Sequence, residues 1–108
     1  MTLYLEQSQL LASSATRQVT VTYPTGLHMR PCSAIVKTVS HFQSKVQIHY
    51  GNNEADASDI IEILSLGVPR GAEVTLLAEG PDAEAVLDSL SILFDSFSIL
   101  FTDDGGLR

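Results

Sequence analysis

The chain has 108 residues, 44% hydrophobic and 18% charged, which describes one globular domain rather than a disordered segment. Its formal net charge of −7 and six scattered Lys and Arg residues argue against nucleic acid as a partner, because a phosphate backbone demands clustered positive charge. No apolar run approaches the roughly 20 residues that span a bilayer, and residues 1–6 lack the pattern of a signal peptide, so no membrane insertion is expected. The single cysteine, Cys32, excludes an internal disulfide and fits a reducing compartment, making the cytoplasm the expected location.

Residues 1–16 read as an extension. Leu3, Tyr4, Leu10 and Leu11 recur at heptad spacing before a small polar run at 12–16. That pattern leaves two readings, a frayed tail or a short amphipathic helix docked on the domain or a neighbour. Residues 18–23 alternate, with Val19, Val21 and Tyr23 on one face, which predicts a half-buried strand. Pro24-Thr25-Gly26 ends it as a turn. From Met29 to about Val39, the apolar residues Cys32, Ile35, Val36 and Val39 recur at helical spacing. Pro31 is tolerated only in the first turn of such a helix, so the helix must begin beside His28.

Residues 45–50 alternate again with Val46, Ile48 and Tyr50 inward, and Gly51-Asn52-Asn53 signals a turn into a short returning strand at 54–57. Residues 59–66 predict a short apolar helix stopped by Gly67, with Ile63 in the core. A fourth strand follows at 74–78. Pro81-Asp82 then opens a long helix to about Phe101, striped by Val86, Leu87, Leu90, Leu93, Phe94, Phe97 and Phe101. A weaker stripe of Ala85, Ile92, Ser96 and Ile99 lies opposite, a surface for residues 1–16 or for another chain. Residues 102–108 form a polar tail, leaving 17–101 as the domain proper. The order β-α-β-β-α-β-α predicts an α+β open-faced sandwich, a four-stranded antiparallel sheet with three helices on one face.

His28 carries the chemistry. The first N–H groups of a helix lack intrahelical partners and the macrodipole adds positive character, so an anion is stabilised there. A neutral imidazole offers a ring-nitrogen lone pair, and Arg30 adds a permanent cation with a fork of donors suited to phosphate oxygens. Nucleophile, dipole and cation together describe a transient phosphohistidine site. A solitary histidine before a helix is otherwise a surface residue or weak cap.

Gly26-Leu27-His28-Met29-Arg30-Pro31 resembles the phosphorylation-site motif of HPr, the histidine-containing phosphocarrier of the phosphoenolpyruvate-dependent sugar phosphotransferase system. The likeness covers about residues 17–101 in the same element order, with Phe42 after the first helix, Ser65-Leu66-Gly67 closing the second and Ala78-Glu79-Gly80 before the third. The resemblance implies that His28 accepts phosphate on Nδ1 from phosphorylated enzyme I and passes it to a sugar-specific transporter component or a regulatory protein. It implies that Arg30 steadies the phosphate, that the amides near Met29 and Arg30 cap it, and that Pro31 fixes the helix start. Lys37, Ile60, Ile61 and Leu64 would form the partner-docking patch. The protein would be a monomeric carrier and co-substrate rather than a stand-alone enzyme, with no cofactor and no metal.

The chain also departs from that family. Its Asp59 stands where many HPr proteins carry a serine phosphorylated by a regulatory kinase, and an aspartate cannot be that kinase's substrate. Asp59 is then either a fixed negative charge attenuating phosphotransfer or an N-cap forming an Asp-x-x-Glu capping box with Glu62. Ser58 is one position off register. Ser40 and Glu62 occupy positions where lysines are common in the family, so acidic partner surfaces would be attracted less. Cys32, four residues after His28, is a buried small residue, a redox-sensitive thiol or half of a zinc pair. His41 and His49 read as surface residues. The alternative to a carrier is an HPr-like regulatory binding module whose phosphorylation state signals rather than feeds sugar uptake; a small phosphohydrolase is disfavoured because no second acid, base or metal cluster joins His28.

Overall fold

Alternating and helical apolar patterns sort the chain into seven elements in a computed structural model, which describes residues 13–100 and their side chains as far as Phe97. These are β1 (Ser14–Thr20), α1 (Met29–Val39), β2 (Lys45–Tyr50), β3 (Asn53–Asp56), α2 (Ile60–Ser65), β4 (Glu73–Glu79) and α3 (Ala83–Leu100). The strands form one sheet in the order β1-β4-β2-β3, with every neighbouring pair antiparallel. The predicted α+β sandwich, with its β-α-β-β-α-β-α order, is the observed fold. The apolar residues proposed at 3–11, the tail at 102–108, Phe101 and the Ile99 side chain lie outside the described residues.

The first strand differs from its sequence reading. Residues 14–16, assigned to the extension, belong to β1 and pair with Glu79, Ala78 and Leu77, while residues 21–23 have left the ladder. The inward file of β1 is Ala15, Arg17 and Val19, and the arginine hides the alternation. Its apolar stem lies inward, while its guanidinium reaches Glu84 at 3.3 Å, Asp88 at 3.0 Å and the Ser91 hydroxyl at 3.1 Å on α3. Val21 and Tyr23 nonetheless remain buried. The other boundaries fall within a residue or two of expectation.

Period-two patterning aims Val46, Ile48, Val74 and Leu76 at the helices, and period-3.6 patterning returns Cys32, Ile35 and Val39 from α1. Val86, Leu87, Leu90, Phe94 and Phe97 of α3 complete the core, with the two phenylalanine rings 5.1 Å apart. Full burial of each such side chain contributes about 1.5–3 kcal/mol. Ile63 is the buried residue of the short α2.

Where β4 turns into α3, the Asp82 carboxylate ties that turn to the loop between α1 and β2. It accepts hydrogen bonds from the Gln43 and Ser44 amides at 2.9 and 2.8 Å and from the buried Ser44 hydroxyl. The Asp82 amide in turn donates to Ser44 Oγ at 3.2 Å. Gly80 fits this corner because a Cβ there would come within 2.7 Å of the Ser44 Cα. The Ser44 hydroxyl, and then the two amides, hold the Asp82 carboxyl below the usual carboxylate range. A depressed folded pKa contributes stability above the unfolded value that is lost as pH falls through the folded one. Asp82→Ala is therefore expected to lower Tm at neutral pH. The gap from the parent should narrow as thermal melts are repeated at pH values below the ordinary carboxylate range.

Candidate functional site

The approach to α1 is stitched to the segment that follows α2. Val21 N–H donates to the Ala72 carbonyl at 2.9 Å and Gly71 N–H donates back to the Val21 carbonyl at 2.7 Å. Gly26 N–H closes the Pro24-Thr25 turn on the Tyr23 carbonyl at 2.9 Å, and Leu27 N–H donates to the Val68 carbonyl at 2.9 Å. Gly26 adopts φ +78°, and a Cβ at this position would lie 2.4 Å from the Val68 oxygen. With Leu27 buried on one side and Pro31 and Cys32 buried on the other, His28 is delivered to a fixed point at the start of the helix.

His28 is the N-cap of α1, in an extended conformation with φ −122° and ψ −157°. Its carbonyl accepts the first intrahelical bond from Cys32 N–H at 3.0 Å, but its side chain makes no cap hydrogen bond. The half-buried imidazole instead stands edge-on to the buried Tyr23 ring, with centroids 4.9 Å apart and planes at 63°. Pro31 occupies the third helical position and has no N–H, so Met29 and Arg30 supply the amides of the first turn. No acidic residue lies in that turn, and the side chains of Met29 and Arg30 are exposed. The arrangement presents a ring and positive helix dipole to solvent with no carboxylate of the first turn against them.

The remaining predicted residues divide by position. Ile61 is 66% exposed and Met29 56%, whereas Ile60 and Leu64 are half-buried against the core. Lys37 is exposed in the last turn of α1, nine residues beyond His28. That separation is about 13 Å along the helix, so Lys37 does not share the histidine's immediate surroundings. Helices α1 and α2 pack against each other, and the chain leaving α2 reaches the Val68 contact beside His28. Tyr23 and Val68 escaped the site prediction. The inward position of Tyr23 in the 18–23 alternation was the available signal, while a backbone acceptor such as Val68 leaves none.

Asp59 caps α2. Its Oδ1 accepts from the Ile61 and Glu62 amides at 3.0 and 3.2 Å. The predicted reciprocal box with Glu62 is not formed. Glu62 Oε1 accepts instead from the Asp56 amide at 2.8 Å, while Asp59 N–H is taken by the Asp56 carbonyl at 3.0 Å. The backbone bend thus removes the donor that a capping box requires. Cys32 is fully buried, and desolvation pushes its thiol up to about 11, so it remains protonated and unreactive at neutral pH. Among the described residues, no three His, Cys, Asp or Glu side chains gather as metal ligands. His41 Nδ1 lies 2.9 Å from the Lys37 carbonyl, and His49 Nε2 lies 3.0 Å from Gln47 Oε1 and 3.7 Å from Glu54. Neither histidine approaches His28 in an anion-binding arrangement.

Residues 15–96 match the sequence profile of the family described as the PTS HPr component phosphorylation site. The chain belongs to the HPr family. It is 37% identical over 76 residues to the phosphocarrier protein HPr of Buchnera aphidicola subsp. Acyrthosiphon pisum, covering 70% of this chain and 89% of that one. It is also 37% identical over 79 residues to the multiphosphoryl transfer protein of Xanthomonas campestris pv. campestris, covering 73% of this chain but only 9% of that protein. Among solved structures, HPr-C-His from Thermoanaerobacter tengcongensis superposes with a TM-score of 0.74 at 36% identity, covering 78% of this chain and 96% of that one. The Bacillus subtilis catabolite repression protein Crh has a TM-score of 0.63 at 32% identity, with coverage of 75% and 93%. Among the described residues, no helix of this HPr-family chain is long and apolar enough to cross a membrane.

Substitutions at two positions probe these local supports. Gly26→Ala should cost roughly 2 kcal/mol or more, from left-handed strain and crowding against Val68, measured by urea denaturation. Asp59→Ala should cost about 1 kcal/mol by the same assay, whereas Asp59→Ser should retain most of the stability because serine is a comparable cap.

Proposed function

We propose that His28 is the phosphate-accepting residue of this HPr-family chain, receiving the group from phosphorylated enzyme I. A ring nitrogen of neutral His28, Nδ1 by family resemblance, attacks the donor's phosphorus. An N–P bond forms, the bond from phosphorus to the donor atom breaks, and that electron pair stays with the donor. The Met29 and Arg30 amides and the Arg30 guanidinium meet the incoming phosphoryl oxygens. The reverse displacement on a downstream component regenerates the neutral ring, so the chain is a co-substrate and turns over nothing alone. The observation that carries this reading is the N-cap geometry of His28, whose side chain is left unused as a cap at a first turn that holds no acid.

The patch around Ile61, with Met29 and the half-buried Ile60 and Leu64, is the docking surface on this reading, and Lys37 is its cationic margin. The protein works in the cytoplasm as a monomeric carrier, between enzyme I and a sugar-specific transporter component or a regulatory protein. Exposed Asp59 and Glu62 beside Ile61 favour partners with less acidic docking surfaces than a basic rim would select. They also support the second reading, a regulatory module that reports phosphorylation state. In that reading Asp59 is a permanent charge at the start of α2 as well as its cap.

Incubation with phosphoenolpyruvate and enzyme I should introduce a single acid-labile phosphate per chain, absent from His28→Ala. Retention of label in that variant, or no label from a donor that charges another HPr, overturns the assignment. For the regulatory reading, an Asp59→Ser chain transferring phosphate at the parental rate removes attenuation by that carboxylate.

A further inference from the structure

The turn that delivers His28 folds the chain back on itself and brings Tyr23 beside the histidine. Tyr23 is 5% exposed, and its ring meets two others. The His28 imidazole lies at 4.9 Å between centroids with planes at 63°, and the Phe97 ring of α3 lies at 6.3 Å and 85°. Phe94, 5.1 Å from Phe97, continues the row of rings into the core. Edge-to-face contact at such separations is a favoured arrangement of aromatic rings. The neighbouring Thr22 hydroxyl donates to the Phe94 carbonyl at 3.1 Å, so α3 holds this stretch by its backbone as well as by its rings. The C-terminal part of α3, far from His28 in sequence, thus backs the residue that the histidine leans on.

This row of rings bears on the angle of the imidazole. As the N-cap, His28 has its backbone fixed, yet its side chain makes no cap hydrogen bond. The second side-chain torsion of a histidine is broad and roughly twofold, and a half-turn about it exchanges Nδ1 with a carbon. Such a half-turn carries the nucleophilic lone pair away from the Met29 and Arg30 amides. Displacement at phosphorus is steep in orientation, because aligned conformers are the ones that react. A buried ring, held by Phe97 and set edge-on to the imidazole, restricts that rotation; an aliphatic side chain in its place leaves the imidazole free to swing.

We propose that Tyr23 is the positioning residue of His28, its ring held by Phe97 and confining the imidazole to the orientation that turns a ring nitrogen to the helix entrance. The proposal rests on the reading of His28 as the phosphate acceptor, while the orientation it assigns is observable without phosphate. Tyr23 acts through the histidine and exchanges no bond or proton with the phosphoryl group.

Tyr23→Leu and Tyr23→Phe separate the ring from the volume it fills, with thermal melts confirming that each variant is folded. By NMR of the unphosphorylated protein, Tyr23→Leu should remove the ring-current shift of the His28 ring protons. Its His28 side-chain couplings and NOEs should move from those of one rotamer towards an average, whereas Tyr23→Phe keeps the parental pattern. With enzyme I and phosphoenolpyruvate, Tyr23→Leu should lower kcat about tenfold with KM for the chain little changed, and Tyr23→Phe should stay within about twofold of the parent. Phe97→Leu, which keeps the tyrosine and removes its support, should loosen the His28 ring in the same direction; an unchanged ring there overturns the role of Phe97. A single His28 orientation in folded Tyr23→Leu overturns the proposal, as does Tyr23→Phe behaving like Tyr23→Leu or a loss of rate carried by KM alone. A parent chain that takes no phosphate overturns the function assigned to His28, and the NMR comparison still decides the orientation.

Discussion

The hydrogen bond from Leu27 N–H to the Val68 carbonyl, made with Gly26 pressed against the same peptide, is the constraint on which the site depends. It joins the end of the first crossover to the segment between α2 and β4, two stretches far apart in sequence. Only a residue without Cβ lets the backbones come so close. Once they meet, Leu27 is buried, His28 is the next residue out and the helix axis is set by what Pro31 and Cys32 bury. The histidine inherits its position from this closure, and the Tyr23 edge then orients its ring.

The helix entrance is shaped as much by what its residues lack as by what they carry. Many helices place a Ser, Thr or Asp at the N-cap and an acid in the first turn, which consume the amide donors and offset the dipole. Here the N-cap is a histidine that makes no cap bond, the third position is a proline without an N–H, and no acid follows. The short α2 shows the opposite arrangement, its Asp59 carboxylate spent on two amides. One helix start carries neither a side-chain cap nor an acid in its first turn, and the other is closed by its own carboxylate.

The elements were legible because their apolar periods are clean, as in 45–50 and along the main stripe of α3. The edge strand β1 was misplaced because Arg17 sits in an inward file, and a sequence pattern does not show that a guanidinium can escape to carboxylates on another element. Glu62 followed the spacing of a capping box, yet spacing says nothing of the bend at Asp56 that removes the waiting N–H. The placement of His28, Arg30 and Pro31 at the helix start could be read directly, since it follows from local helix chemistry. The Val68 acceptor could not, because a carbonyl is present at every residue and only tertiary closure selects one.

Cys32 gives the fold an internal monitor. Its thiol lies one turn into α1, four residues after His28, with no accessible surface and an ionisation pushed far above neutrality. Reagents that attack thiolates reach it when α1 opens from the core. The rate at which that sulfur is modified therefore counts excursions of the helix that carries the histidine. A bound anion or docked protein that steadies the entrance would be registered there, one helical turn away and without touching the sulfur.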